Sequence, residues 1–132
     1  MNAPVFNDTM RKFGAPQTII HSFQYWSVLL RPAQVTLGAL VLIAHEPAKA
    51  FSELGADSFT EMHTVINQIE FTLTKAFQYD KINYLMLMMV DPDVHFHIIP
   101  RYEGVRLAGH GHSNQADIPE LQKIAADIAA AL

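Results

Sequence analysis

The chain has 132 residues, 50% of them hydrophobic and 17% charged, with 9 Lys and Arg against 13 Asp and Glu for a net charge of -4. That size suits a single domain, residues 1–132, with a real core. The charge balance supplies no basic field for gripping a nucleic-acid duplex, so phosphate recognition must be local. Without cysteine, disulfides and thiolate-bound zinc drop out. No apolar run is long enough to span a bilayer, and residues 1–16 lack a secretion-signal layout, so a cytoplasmic protein without a membrane partner is expected.

In chain order, residues 1–18 read as a loose N-terminal arm, because Asn2, Pro4, Asn7, Gly14 and Pro16 break any period. Aromatic and β-branched content predicts a strand over Phe23 to Leu30, a turn over Arg31-Pro32-Ala33-Gln34, and a second, nearly all-apolar strand over Thr36 to Ala44. These two form a hairpin that Glu46-Pro47 ends. Ser58 to Tyr79 is the strongest predicted helix. Ser58 and Glu61 have capping-box spacing, and Phe59, Met62, Ile66, Ile69, Leu73 and Phe77 recur at three- and four-residue steps.

Asn83 to Val90 is a dense apolar run that reads as a strand, with Met86, Met88 and Met89 as core filler. Asp91-Pro92 then turns the chain into a strand that begins at Asp93 and pairs antiparallel with it. Residues 103–117 form a polar loop containing His110 and His112. Asp117-Ile118-Pro119-Glu120 opens a last helix with an Asp cap and Pro in the first turn. The order strand, strand, helix, strand, strand, helix gives an α+β domain with a mostly antiparallel sheet, one long central helix and a C-terminal helix. His21, His45 and His63 are surface or boundary residues on this reading, and Tyr25 and Trp26 pack the sheet or an interface.

The chemistry concentrates in Asp93-Val94-His95-Phe96-His97-Ile98-Ile99-Pro100-Arg101. Side chains alternate across a strand, so Asp93, His95, His97 and Ile99 share one face while Val94, Phe96 and Ile98 face a core. A neutral imidazole is a base, a metal ligand or a nucleophile toward phosphorus, where it forms a phosphoramidate that water cleaves. The nucleophile needs one ring nitrogen fixed by a hydrogen bond and the other presented to substrate. His97 and Asp93 are placed to serve the leaving group or the phosphate oxygens. An Asp93 with a raised pKa, beside Asp91, is a candidate proton donor.

The stretch resembles the signature of the histidine triad (HIT) family, His-φ-His-φ-His-φ-φ with φ apolar, commonly followed by Pro-Arg. Looser similarity runs upstream through Leu29-Leu30-Arg31-Pro32 and Leu37 to Ile43, which are similar to the hairpin flooring the family's nucleoside pocket. It covers about residues 23 to 102. The resemblance implies a HIT-like fold and a nucleotide hydrolase or transferase. Its substrates would be nucleoside phosphoramidates, dinucleoside polyphosphates or related conjugates, attacked at the α-phosphate. It implies His95 as the residue forming the covalent nucleotidyl intermediate and His97 as its helper, with no cofactor or metal. Asn83 and Arg101 are candidate nucleotide- and phosphate-binding residues, and a homodimer is expected.

The chain departs from the pattern in three places. Asp93 stands for the first histidine, Ala39 for a histidine after Gly38, and the phosphate-donating loop before the triad is missing. Two other readings therefore remain open. One is a nucleotide-binding protein that keeps the pocket without turnover. The other is a metal site built on Asp93, His95 and His97, completed by His110 or His112.

Overall fold

The computed structural model describes residues 6–105 and 121–131. Its centre is a five-stranded sheet of β1 (Ile19–Ser22), β2 (Trp26–Leu30), β3 (Leu40–Ala44), β4 (Lys81–Leu85) and β5 (His95–Arg101). The spatial order is β1-β2-β3-β5-β4, and every neighbouring pair is antiparallel. All five residues of β2 and of β3 are buried, as the unbroken apolar runs require of strands covered on both faces.

One face packs against α2 (Ala56–Phe77) and α3 (Leu121–Ala131), with Val28, Leu40, Leu42 and Ile98 meeting Val65, Ile69, Leu73, Ile124 and Ile128. Trp26 is buried there and its Nε1–H donates to the Ser58 carbonyl at 2.8 Å, so it packs the core. The opposite face is covered by the five-residue helix α1 (Asp8–Lys12), whose Met10, with Phe13 beyond it, sits on Leu29, Val41 and Ile43. Among the described residues no helix is long and apolar enough to cross a membrane.

Several expectations need correction. The N-terminal segment is not a loose arm over its described part. Asn7 caps α1 by accepting from the Met10 amide at 2.9 Å, Met10 is fully buried, and β1 follows. A one-turn helix and a four-residue edge strand are held by tertiary contacts and carry too little period to be read.

The second strand starts at Leu40 rather than Thr36. Gln34 replaces strand partners there: its amide donates to the Arg31 and Ala39 carbonyls at 2.7 Å each, and its Oε1 accepts from Gly38. Gly38, at φ +89°, closes the turn where an added Cβ would strike the Phe77 ring.

The long helix begins at Ala56 behind Gly55. Ser58 and Glu61 are not its capping box: Ser58 donates to Glu46, and Glu61 accepts from the Gln24 and Tyr25 amides. The strand expected to run to Val90 ends at Leu85, and a nine-residue connection replaces the two-residue turn. Met86 and Met88 pack against the core, but Met89 is 90% exposed and is not core filler. The expected Asp117 cap and His110 and His112 lie outside the described residues.

Candidate functional site

The antiparallel register builds the site row by row. His95 lies opposite Ile43, which lies opposite Ser27; His97 lies between Val41 and Leu85; Asn83 lies opposite Ile99. Odd-numbered residues of β5 therefore share the face that α1 covers, while Phe96 and Ile98 enter the core against α2 and α3. The expected alternation holds from His95 onward. The two histidine rings lie 5.1 Å apart and nearly perpendicular, and the Phe13 ring stands 6.2 Å from His95 and 5.6 Å from His97.

His95 is completely buried. Its Nδ1 lies 2.7 Å from the Asp93 carbonyl, which fixes that nitrogen as the N–H donor. Among the described residues the other nitrogen, Nε2, is buried without a hydrogen-bond partner and carries the free lone pair. The nearest carboxylate to it is Asp91, whose Oδ2 is 3.9 Å away and which is ion-paired to Lys12.

His97 is partly buried, and its Nδ1 is likewise unpartnered. Burial pushes its pKa down to about 4; the charges of His95, Arg31 and Lys12 push the same way, and Asp91 opposes them. His97 is therefore neutral at physiological pH. Asn83 and Arg101, named separately from the sequence, are brought together: Arg101 Nη1 donates to Asn83 Oδ1 at 3.1 Å.

Asp93 is the main correction. It precedes the strand instead of opening it, and its carboxylate is spent elsewhere. Oδ2 accepts from the Thr9 amide (3.2 Å) and hydroxyl (2.9 Å), and Oδ1 accepts from Lys49 Nζ at 2.8 Å. Burial works to raise its pKa, but the Lys49 and Thr9 donors outweigh it and hold the carboxyl below its ordinary range. A raised-pKa proton donor is thus ruled out, and Asp93 serves His95 through its main-chain carbonyl. The proposed Asp93-His95-His97 metal trio fails for the same reason. Among the described residues no group of three or more His, Asp or Glu is placed to hold an ion.

Five residues of this face were not singled out from sequence as site residues: Met10, Lys12, Phe13, Arg31 and Asp91. Arg31 alone left a signal, a charge directly after the buried pair Leu29-Leu30 and in step with Ser27 and Leu29 on the histidine face. Asp91 figures in the sequence only as a turn residue and as the acid beside Asp93.

No protein-family model matches the chain, and no curated protein matches it. Solved structures do. A HIT-like protein involved in cell-cycle regulation from Bartonella henselae is 20% identical with a TM-score of 0.70, over 87% of this chain and 86% of that one. A histidine triad protein from Bradyrhizobium japonicum is 19% identical with a TM-score of 0.70, over 98% of both chains. The diadenosine triphosphate hydrolase of Plasmodium falciparum, solved with cyclomarin A, is 13% identical with a TM-score of 0.67, over 88% of this chain and 74% of that one. Likeness at such identities establishes the fold: this is an α+β chain with the HIT fold.

Proposed function

We propose that the chain is a nucleotide hydrolase or transferase working through a covalent nucleotidyl-histidine at His95. The observation that carries this reading is the state of the His95 ring, with Nδ1–H tied to the Asp93 carbonyl and Nε2 free of any partner. That tautomer is the one a nucleophile needs. Nε2 attacks the α-phosphorus of a nucleoside phosphoramidate, dinucleoside polyphosphate or related conjugate. The bond from phosphorus to the leaving group breaks, and the leaving group departs with a proton. Water then attacks the phosphorus, the P–N bond breaks, and His95 is regenerated with release of nucleoside monophosphate.

His97, held neutral, donates an N–H to a phosphate oxygen and is not a proton source until the phosphate charge raises its pKa. Asn83 and Arg101 bind at the far end of the same face. The solved Plasmodium relative of this fold is named a diadenosine triphosphate hydrolase, which agrees with this substrate class.

One observation favours the second reading, a nucleotide-binding protein without turnover. His95 is completely buried, with the Phe13 ring 6.2 Å from its own, so Nε2 meets a substrate only if its cover shifts. Product release from adenosine 5′-phosphoramidate and a diadenosine polyphosphate, with and without chelator, separates the two. Turnover that survives chelator and is absent in His95→Ala supports the covalent mechanism; nucleotide-induced rise in melting temperature without turnover supports binding alone.

The working unit in this proposal is a homodimer formed along β4. That strand is a sheet edge, and Leu87, Met89 and Val90 beyond it are 65%, 90% and 78% exposed. Such a patch suits a second copy of the chain. Light scattering of wild type and Leu87→Asp tests it: a dimer in the first and a monomer in the second is expected, and a monomeric wild type rejects it.

A further inference from the structure

Arg31 and Arg101 are both half-buried, both bury a guanidinium Nε without a hydrogen-bond partner, and neither meets a carboxylate among the described residues. The remaining described arginine, Arg11, is exposed and pairs with Asp8. Leaving an N–H of a buried charged group unsatisfied is unfavourable, so such a group signals an acceptor that arrives from outside. Arg101 is partly answered by Asn83. Among the described residues the Arg31 guanidinium has only the Ala33 carbonyl, 2.7 Å from Nη1.

The base of the Arg31 side chain is rigid. Its amide donates to the Ala39 carbonyl at 3.0 Å, and its own carbonyl accepts from Gln34. Gln34 is buried and also grips Ala39 and Gly38, and the Thr36 hydroxyl ties the same turn to the Pro100 carbonyl at 2.6 Å. A side chain anchored in this way presents its fork without first paying to order its backbone. The neighbour across the strand pair is Ala39, whose carbonyl accepts from the Arg31 amide.

We propose that Arg31 binds a second phosphate carried by the nucleotide, separate from the one that meets His95. This rests on the nucleotide reading given above and narrows its substrate class. Along β3, the row of Ile43 and His95 lies four residues from Ala39, which is about 13 Å at the strand rise. Arg31 extends β2, which lies two strands across from β5, and the second phosphate therefore sits apart from the reacting phosphorus, on the ribose or at the distal end of a polyphosphate chain. The paired N–H groups of a guanidinium suit either one.

The test is calorimetric binding of 5′-AMP, adenosine 3′,5′-bisphosphate and ATP, without metal, to wild type, Arg31→Gln and Arg31→Lys. Wild type is expected to hold one of the two polyanionic nucleotides at least about tenfold tighter than 5′-AMP, and which one identifies where the second phosphate lies. Arg31→Gln should shrink that ratio below about threefold and Arg31→Lys should keep part of it. A rise in the His97 pKa of Arg31→Gln, followed by NMR, shows a folded site that has lost a cation. Equal affinities in wild type, or a preference that persists in Arg31→Gln, overturn the proposal and leave the nucleotide reading standing. Failure of wild type to bind any of the three overturns both.

Discussion

Thr9 and Asp93, 84 positions apart, hold each other by three hydrogen bonds: the Thr9 amide and hydroxyl donate to Oδ2, and the Asp93 amide donates back to the Thr9 hydroxyl at 3.1 Å. That clasp docks α1 onto the histidine face and fixes the peptide whose carbonyl holds His95 Nδ1. Asp93 thus acts on the nucleophile through its backbone while its side chain fastens the cover.

Asp93→Asn tests the clasp. The asparagine turns one end of the group into a donor that faces the donors of either Thr9 or Lys49, and the expected loss is about 2–3 kcal/mol at pH 7 by urea unfolding. Because the folded pKa of Asp93 is lowered, its stabilisation is present above the unfolded carboxyl range and disappears as pH falls through the folded value. The gap between wild type and variant should therefore narrow below about pH 4. A gap that stays constant from pH 7 to pH 3 would mean the carboxylate charge contributes nothing.

His97 gives a second pH signature. With a folded pKa of about 4, against 6.5 for a free imidazole, it is neutral in the folded chain while the unfolded chain takes up a proton. Stability attributable to His97 is complete above pH 6.5 and declines as pH falls towards 4, where both states are charged and the loss levels off. His97→Phe should flatten that portion of the stability–pH curve. NMR titration should place the wild-type midpoint near 4 and move it upward on adding inorganic phosphate, since a nearby anion favours the charged ring. A midpoint at 6 or above refutes the desolvated site.

Much of the sheet, the long helix and the two histidines were legible because their side chains obey a short period. Alternation over His95 to Ile99 gave the face of each histidine, and three- and four-residue steps over Phe59 to Phe77 gave α2. Asp93 misled for the same reason: it keeps the alternation in sequence but stands before the strand, and its partner Thr9 is remote. Local pattern contains no information about such a clasp. Lys12 was hidden likewise, and the charge of Arg31, though in step with Ser27 and Leu29, did not disclose its place near the histidines, since that depends on register between segments, which only the folded sheet reveals.

Phe13 covers both imidazoles, so its removal should expose them. Phe13→Ala is expected to cost about 3 kcal/mol by cavity formation and to speed diethyl pyrocarbonate modification of His95 severalfold, read by peptide mass spectrometry. Unchanged modification kinetics in a folded variant would locate the barrier to His95 elsewhere, in the connection carrying Asp91.

Asp91 and Lys12 set the charge that an incoming phosphate meets at His95. The Asp91 carboxylate lies 3.9 Å from Nε2, where it would repel an anion, and the Lys12 ion pair offsets it. Lys12→Met uncovers that negative charge. A unit charge several ångströms from a phosphate in a partly solvated site is worth on the order of 1 kcal/mol after screening, or about fivefold in affinity. Nucleoside monophosphate binding should weaken by that factor in Lys12→Met, and Asp91→Asn should tighten it. The difference between the two variants should shrink in 0.5 M salt, because Lys12 is half exposed. Equal affinities at low salt would show that an entering phosphate never comes within reach of this pair, and the approach to Nε2 would then have to run from the Leu85 side of His97.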